Sequence, residues 1–329
     1  GELTEPRNFN LMFKTFLGPI ESETNIAYLR PETAQGIFVN FDNVLTSTRK
    51  KLPFGIAQIG KAFRNEITTG NFIFRTREFE MMEIEYFVHP SEAKKWHEYW
   101  ISTCFNWLIS LGVNEKQLKI RAHESTELSH YSDGTSDIEY LFPWGWGEIQ
   151  GIANRTDYDL KAHSESSGKK LTYFDDSIQK HITPFVIEPS AGLDRAVMTF
   201  MTNAFEQEEI TMESGKVETR SVLRLNPKLA PVKVAILPLS RKDELSGLSK
   251  KVYDIILNSQ TISGLIQYDD TQSIGRRYRR QDEIGTPLCV TIDFESLNDN
   301  SVTVRDRDSM KQERIEITNV VEYLQNHLN

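Results

Sequence analysis

Two strand-like runs, 55–63 and 72–88, lie on either side of a polar segment that is rich in turn-forming residues. This arrangement predicts a long antiparallel hairpin. Side chains alternate along the second arm, so that Glu83, Glu85 and Phe87 share one face of the strand. The hairpin is the sharpest local feature of the sequence, and any fold of the chain has to place it in a sheet.

The turn and second arm of this hairpin are dense in charge. Eight charged residues fall there: Arg64, Glu66, Arg75, Arg77, Glu78, Glu80, Glu83 and Glu85. Opposite charges could simply pair across strands, but surface pairs contribute only about 0–1 kcal/mol each. A binding face explains the pattern better, because arginines hold phosphate oxygens in bidentate fashion and carboxylates hold a metal or an ammonium group.

A second polar feature follows a strand-like run at 185–188. The run ends in Glu188, and a turn through Pro189 and Gly192 leads into a helix with Arg195 in its first turn. Small residues let a substrate approach the backbone closely, and a helix N-terminus favours an anion. A third feature, the glycine-containing stretch 144–153, would allow a tight backbone beside a ligand. It does not match a phosphate-binding P-loop, which needs Lys-Ser/Thr after its glycines.

A proline-containing linker, 226–231, divides the chain into two blocks. Strand-like and helix-like segments alternate in the first block, 1–225. In the second block, 232–329, a β-branched run at 232–237 is followed by a helical pattern at 243–259. The second block therefore predicts a compact α/β domain with a mixed or parallel sheet and helices on its faces.

Composition excludes several classes of protein. The 329 residues carry a net charge of −9, which argues against indiscriminate binding of nucleic acid. No run approaches the ~20 apolar residues of a membrane span, so we expect no membrane contact. The two cysteines, Cys104 and Cys289, are too few for a disulfide framework or a cysteine-rich zinc site. They fit a reducing cytoplasm, and no zinc is expected.

Two short motifs resemble those of class II aminoacyl-tRNA synthetases. Phe63 followed by Arg64-Asn65-Glu66 resembles motif 2, and Gly192-Leu193-Asp194-Arg195 resembles motif 3. Longer sequence segments resemble those of the dimeric-type glycyl-tRNA synthetases: Arg30 to Gly36, Arg77 to Glu80, Gly145 to Glu148, Asn154 to Asp157 and Glu188 to Gly192. The resemblance covers nearly the whole chain.

This resemblance implies a fold and a reaction. The fold is an α+β catalytic domain at 1–225, with an antiparallel sheet and flanking helices. The linker and an α/β anticodon-binding domain with a mixed sheet, 232–329, follow it. The reaction is the activation of glycine by ATP to glycyl-adenylate and the transfer of glycine to tRNA(Gly). The class II motif 1 has no counterpart in the sequence. The chain is therefore expected to lack an N-terminal portion, and the full-length protein is expected to be a homodimer.

The resemblance also implies residue roles. Arg64 and Arg195 are the predicted catalytic residues, Arg64 at the α-phosphate and Arg195 with Arg75 at the outer phosphates. Glu66 would hold the adenine amino group and Phe79 would stack on the ring. The full predicted ATP site is Arg64, Asn65, Glu66, Phe74, Arg75, Thr76, Phe79, Glu148, Ile149, Gly192 and Arg195. Mg²⁺ would arrive with ATP, near Glu148 and Glu188.

Glycine has no side chain to grip, so its pocket has to bind the ammonium group and exclude bulk. The predicted glycine site is Glu32, Glu83, Arg155, Glu188, Pro189 and Ser190. In the second domain a basic run, Arg276-Arg277-Tyr278-Arg279-Arg280, is the predicted contact with tRNA, its arginines on phosphates and its tyrosine available for stacking.

Three alternatives remain at this stage. The chain could be a non-catalytic relative that keeps the synthetase fold as a tRNA-binding or regulatory subunit. Such a relative would be expected to lose the motif arginines, whereas Arg64 and Arg195 are present. It could be a synthetase for another small amino acid, such as serine, threonine or proline. Threonine enzymes of this class hold a zinc ion through Cys and His, and the two isolated cysteines disfavour that. It could also be a structural protein, for which the charged hairpin has no evident use.

Overall fold

A computed structural model describes residues 9–124, 126–129, 132–211, 215 and 217–328 of the protein. These residues form two compact units. The first unit contains residues 9–110 and 114–199 of the described chain, and the second contains residues 111–113 and 200–328. The two units are described separately below.

The first unit is built on a six-stranded sheet in which every neighbouring pair is antiparallel. In spatial order the strands are β3 (Phe54–Phe63), β4 (Glu78–Val88), β10 (Phe185–Gly192), β7 (Gly145–Thr156), β6 (Gly134–Phe142) and β5 (Leu118–Ala122). Two small ribbons accompany it, β1 (Lys14–Phe16) with β2 (Ile26–Tyr28) and β8 (Tyr173–Asp175) with β9 (Lys180–Ile182). The predicted antiparallel sheet is present, and the hairpin β3–β4 lies at its edge.

The second arm of the hairpin starts later than the sequence predicts. It begins at Glu78 rather than at residue 72, and the preceding segment 64–77 is a loop. Asn71 and Phe72 have φ angles of 54° and 55°, in the left-handed region that no strand can use. Alternation of side chains alone could not reveal this reversal.

Three helices flank the sheet: α1 (Ala34–Thr48), α2 (Ala93–Ser110) and α3 (Tyr158–Ser167). A fourth, α4 (Leu193–Ala204), follows β10 directly, and its residues up to 199 belong to the first unit. Helices α1 and α3 cover the sheet face that carries Phe87, whose ring lies 4.7 Å from that of Phe41. On the other face, Tyr86 contacts Trp96 and Trp100 of α2. Since Glu83 and Glu85 alternate in phase with Phe87, they point toward the face that α1 and α3 cover.

The second unit contains a hairpin and a mixed five-stranded sheet. The hairpin is β11 (Phe205–Thr211) with β12 (Val217–Leu223), and the sheet is β14 (Leu265–Tyr268), β13 (Val232–Pro238), β15 (Leu288–Ile292), β16 (Ser301–Asp306) and β17 (Gln312–Glu316) in spatial order. Strand β13 is parallel to β14 and β15, whereas β16 and β17 are antiparallel to their neighbours. The predicted mixed sheet is confirmed.

Helices α5 (Asp243–Asn258), α6 (Ile274–Ile284), α7 (Ser296–Asp299) and α8 (Val320–Leu328) accompany this second sheet. Of the five apolar positions that helical spacing predicts for α5, Leu245, Val252 and Ile256 are buried and Leu248 is partly buried, whereas Ile255 is exposed. All seven residues of β13 are buried as well, as expected for a central strand. Throughout the described parts of the chain, no helix has both the length and the apolar character of a membrane span.

Candidate active site

A cavity of about 160 Å³ opens where the loop 64–77 meets β4, β7 and β10 of the first unit. Its lining consists of Arg64, Glu66, Ile73, Phe74, Arg75, Thr76, Phe79, Glu80, Met81, Glu148, Ile149, Gly151, Ser190, Gly192, Asp194 and Arg195. Ten of the eleven residues predicted from the sequence to contact ATP are in this lining. The eleventh, Asn65, is not, and its backbone N–H donates to the carbonyl of Leu11 at 2.7 Å.

Arg64 stands at the end of β3, where the loop begins. Its Nε donates to the carbonyl oxygen of Pro31 at 3.1 Å, and its guanidinium carbon lies 5.5 Å from the ring centre of Phe79. The loop itself is closed by an ion pair of 3.3 Å between Arg75 and Glu66. These contacts hold two cations and one carboxylate at the same wall of the cavity.

Arg195 enters the cavity from the first turn of α4. Its Nε donates to the carbonyl of Phe74 at 3.0 Å, and its NH1 group donates to the carbonyl of Glu148 at 2.7 Å. The guanidinium also lies 4.3 Å from the ring centre of Phe74. Burial lowers the pKa of Arg195, against the opposing effect of Glu148, but an arginine stays charged. Arg195 thus connects α4, the loop and β7 while keeping its positive charge in the cavity.

Gly147 is required for this arrangement. A Cβ atom at this position would lie 2.8 Å and 3.0 Å from two ring carbons of Phe74 and 3.1 Å from the ring of Phe142. The shortest of these distances is one that real Cβ atoms essentially never show, and the other two are tighter than most real contacts, so the Phe74 ring would have to move. The glycine therefore lets the Phe74 ring, and Arg195 above it, pack against β7.

Sequence reasoning missed five residues of the lining: Ile73, Glu80, Met81, Gly151 and Asp194. Asp194 is informative, because its Oδ2 accepts a hydrogen bond from the backbone N–H of Glu80 at 2.9 Å. It thereby fixes the start of α4 to β4. Its place between Leu193 and Arg195 in the motif 3 word was the available signal.

A second, mostly buried group of polar residues centres on Arg155 of β7. The NH1 group of Arg155 donates to both carboxylate oxygens of Glu188 at 3.0 Å. Its Nε and NH2 groups donate to Asp159 at 2.7 Å and 2.8 Å, and Glu32 Oε1 lies 4.0 Å away. Burial acts to lower the pKa of Arg155, but Asp159 and Glu188 raise it overall. Arg155 is a fixed cation in an acidic surrounding.

Glu83 of β4 completes this group. Its Oε2 accepts hydrogen bonds from the backbone N–H of Thr33, at 2.6 Å, and from the Thr33 hydroxyl, while the Ser190 hydroxyl donates to Oε1 at 3.2 Å. The register of β4 and β10 places Glu83 opposite Ser190. Because Ser190 also lines the cavity, the buried acidic group adjoins it directly.

The structure thus brings together five of the six residues predicted for glycine. Pro189 is the exception, because it lies between Glu188 and Ser190 in β10 and alternation directs its ring to the opposite face of the sheet. In return, the structure adds Glu85 to the group. Its side chain is wholly buried and neither of its oxygens has a hydrogen-bond partner among the described residues.

Burial has the largest effect on the pKa values of Glu85 and Glu188. It raises the pKa of Glu85 well above the usual range of a glutamate, and the charge of Glu188 adds to the effect. Burial also raises the pKa of Glu188 to about 7, although Arg155 opposes the shift. The alternation noted in the sequence placed Glu85 on the face of Glu83, but burial could not be read from it.

The two carboxylates predicted to lie near Mg²⁺ differ in availability. Both oxygens of Glu188 already accept hydrogen bonds from Arg155, so this residue does not fit a metal. The side chain of Glu148 is 52% exposed at the cavity, and an exposed carboxylate oxygen is a ligand that Mg²⁺ accepts. Within the described ranges, no three His, Cys, Asp or Glu residues are grouped closely enough to hold a metal by themselves.

Most side chains of the basic run that is predicted to contact tRNA are bonded to other residues of the second unit. It lies on α6, where Arg276 is exposed but Arg277 is only 2% exposed and donates to the carbonyl oxygens of Pro238 and Asp269. The Tyr278 hydroxyl is bonded to Thr291 at 2.6 Å.

The remaining members of the run have partners as well. Arg305 lies over the ring of Tyr278, and Arg280 is paired with Asp269. Arg279 lies 3.9 Å from both Glu218 and Asp282. The prediction therefore needs correction at Arg277, which is buried, and stays a prediction for the other arginines. A charge run in a sequence does not reveal which arginines the domain uses for its own interior.

Comparisons with known proteins bear on both units. Residues 233–327 match the family model of the anticodon binding domain. Over 327 residues the chain is 57% identical to the glycine–tRNA ligase of Mycolicibacterium paratuberculosis, which covers 98% of the chain and 70% of that protein. It is 55% identical to the glycine–tRNA ligase of Thermobifida fusca over 331 residues, 100% of the chain and 71% of that protein. The corresponding protein of Acetivibrio thermocellus is 56% identical over 322 residues, 98% of the chain and 68% of the relative.

Proposed function

The chain belongs to the glycine–tRNA ligase family, and on that premise we propose that its first unit converts glycine and ATP to glycyl-adenylate before glycine is joined to tRNA(Gly). We assign its antiparallel sheet to the class II catalytic fold, as the words at 64–66 and 192–195 imply. One observation supports the proposal most directly. A cavity lined by Arg64, Arg75 and Arg195 adjoins a buried acidic group, and Ser190 belongs to both.

The activation step requires little proton transfer. A carboxylate of glycine attacks the α-phosphorus of ATP, a P–O bond forms, and the bond to pyrophosphate breaks. The attacking carboxylate is ionised at pH 7, so no general base is needed. Arg64 and Arg195 would stabilise the negative charge that grows on the phosphate oxygens. Both are already fixed by hydrogen bonds to backbone carbonyls, so little reorganisation is required.

The aromatic residues of the cavity would hold the base. Phe79 offers a ring beside Arg64, and Glu66 is a carboxylate that can accept a hydrogen bond from an adenine amino group. Mg²⁺ bound to the ATP phosphates would neutralise charge there and assist the departure of pyrophosphate. Glu148 is the residue that we propose for contact with this ion.

The acidic group would bind the amino acid. We place the ammonium group of glycine among Glu32, Glu83 and Glu188, where a cation offsets the excess of negative charge around Arg155. The hydrogen bonds from Thr33 and Ser190 keep Glu83 in one position, so the pocket is formed before the substrate arrives. A pocket of fixed size rejects larger side chains by overlap.

The second unit would bind the anticodon of tRNA, as its match to the anticodon binding domain suggests. Of the basic run on α6, Arg276 is the residue that we retain for a phosphate contact. The domain limits at 225 and 232, the homodimer and the cytoplasmic location stay predictions from the resemblance. A non-catalytic role is not favoured, since the relatives reported above are named as ligases.

Exchange of radioactive pyrophosphate into ATP tests the proposal. We expect exchange that depends on glycine and that alanine or serine does not support. Arg64→Ala should lower the exchange rate by about 100-fold or more, because an electrostatic contact at the reacting phosphate is lost. Lys61→Ala is the matched control on the same strand, since Lys61 is exposed and paired with Glu78, and it should keep the wild-type rate. Full activity of Arg64→Ala, or exchange without glycine, would contradict the assignment.

A further inference from the structure

Glu85 lies in the middle of β4, directly opposite another carboxylate. The register pairs Glu83 with Ser190 and Tyr86 with Ile187, and this places Glu85 opposite Glu188 of β10. Alternation puts Glu83, Glu85 and Glu188 on one face of the sheet. Like charges directly opposite in a sheet are destabilising, so the pair needs a chemical explanation.

The other carboxylates of the group are all engaged. Glu83 accepts bonds from Thr33 and Ser190, and Glu188 shares Arg155 with Asp159. Glu85 is 0% exposed, and neither of its oxygens has a hydrogen-bond partner in the described part of the chain. An ionised carboxylate buried without a partner is strongly unfavourable. One guanidinium cannot compensate four buried carboxylates.

Charged groups reach Glu85 from four of the surrounding elements. Its own strand contributes Glu83, β10 contributes Glu188, β7 contributes Arg155 and α3 contributes Asp159.

Within the described residues, the two other elements that pack on this part of β4, strand β3 and helix α1, supply no cation. On the far side of β4, strand β3 places Ile56 opposite Glu85, and the one charged residue of β3, Lys61, is paired with Glu78. Helix α1 contributes Phe38 and Phe41 to this face, and its one charged residue, Asp42, is bonded to Lys169. The balance around Glu85 is therefore negative.

We propose that Glu85 carries a proton in the empty amino-acid pocket and gives it up when a substrate ammonium group binds beside Glu83 and Glu188. The proposal rests on the proposed function, which places the ammonium there. In this step the O–H bond of the Glu85 carboxyl breaks, the electron pair stays on oxygen, and the proton passes to the buffer. The incoming cation replaces the proton as the compensating charge. Glu85 is thus a positioning residue that sets the charge of the pocket.

The raised pKa of Glu85, caused first by burial, agrees with this assignment. An ammonium group nearby would lower that pKa, so the complex binds fewer protons than the free protein. By linkage, glycine then binds more tightly as pH rises, by up to about tenfold per pH unit while one proton is released. A pocket whose carboxylates are all ionised from the start would show no such dependence.

Isothermal titration of the protein with glycine tests this directly. The binding enthalpy is measured at one pH near neutrality in phosphate, HEPES and Tris, which differ in heat of ionisation. We expect an enthalpy that varies linearly with that heat, with a slope of up to one proton released. Glu85→Gln should lower the slope, and the part that remains belongs to Glu188, whose pKa burial raises to about 7. Glu78→Gln is the matched control on the exposed end of β4 and should keep the wild-type slope.

Each failure has a distinct meaning. Heat of binding that is independent of the buffer in the wild type would overturn the inference, and so would an unchanged slope in Glu85→Gln. No glycine binding in any buffer would overturn the proposed function and the inference with it. If Glu85→Gln does not fold, infrared difference spectra of the wild type decide: glycine should remove the band of a protonated carboxyl, and a band that stays would contradict the proposal.

A stability measurement tests the buried proton without glycine. Below the ordinary pKa of a glutamate, folded and unfolded chains both carry the proton. Above it the unfolded chain releases the proton while the folded protein keeps it, so the free energy of unfolding falls as pH rises. Glu85→Gln lacks this proton and should therefore gain thermal stability relative to the wild type between about pH 5 and about pH 8. An equal difference at both pH values would contradict a proton on Glu85.

Discussion

Arg155 is the residue on which the acidic pocket depends. It is 2% exposed and is the common partner of Glu188 and Asp159, so it determines how many negative charges the interior can hold. A buried ion pair is no proof of high stability, because desolvation offsets the attraction. Removal of one partner is costly nonetheless, since it leaves charges buried without compensation.

Arg155→Met should therefore lower the free energy of unfolding of the first unit by about 3–5 kcal/mol. Urea unfolding followed by tryptophan fluorescence measures the change, because Trp96 and Trp100 belong to this unit. Lys169→Met is the control: its pair with Asp42 is exposed, and its loss should cost at most about 1 kcal/mol. Equal losses for the two variants would show that Arg155 does not hold the pocket together.

At the scale of elements, the site forms where the loop 64–77, strand β7 and helix α4 pack against one another. Phe74 of the loop packs on Gly147 of β7, and Arg195 of α4 covers the Phe74 ring. Both contacts join different elements, and neither is a hydrogen bond of a helix or a strand. Each element therefore depends on the other two for the position of its functional side chain.

Gly147→Ala should disturb the packing between these three elements. The added Cβ would overlap the Phe74 ring, displace the loop and move Arg195, so we expect the KM for ATP to rise about tenfold, a loss of about 1.4 kcal/mol. The KM for glycine should change little, because Gly147 does not touch the acidic group. Gly70→Ala, in the same loop, has open space around its Cβ and should behave as the wild type. A Gly147→Ala enzyme with a normal KM for ATP would show that Gly147 does not position Phe74 and Arg195 for ATP.

The same elements show how far the sequence predicts the structure. Periodicity located β3, α5 and the central strand β13, because their apolar spacing reflects burial on one face or on both. It misplaced the start of β4, since the backbone at Asn71 and Phe72 is left-handed, within a turn that hydrogen bonds between the backbones of Gly70 and Arg75 close.

The site, like the fold, was predicted in part from the sequence. The motif words placed the cavity residues, but neither the isolation of Glu85 nor the burial of Arg277 can be read from residue types. Both depend on which partners the fold supplies.

At the scale of the whole molecule, positive and negative side chains are gathered at different parts of the site. The net charge is −9, yet the cavity of the first unit gathers Arg64, Arg75 and Arg195. Local cations can hold a polyphosphate in an acidic protein because charges beyond a Debye length of about 10 Å are screened. The acidic pocket beside the cavity takes the opposite charge. A zwitterionic amino acid and a nucleotide are thereby offered complementary surfaces at neighbouring positions.

A crystal structure of the protein with ATP and glycine, or with a non-hydrolysable analogue of glycyl-adenylate, tests the central claim most directly. We expect the α-phosphate to lie against Arg64, with Arg195 at the nucleotide, and the ammonium group to lie among Glu32, Glu83 and Glu188. Electron density for the nucleotide elsewhere, or an ammonium group distant from Glu83 and Glu188, would contradict it.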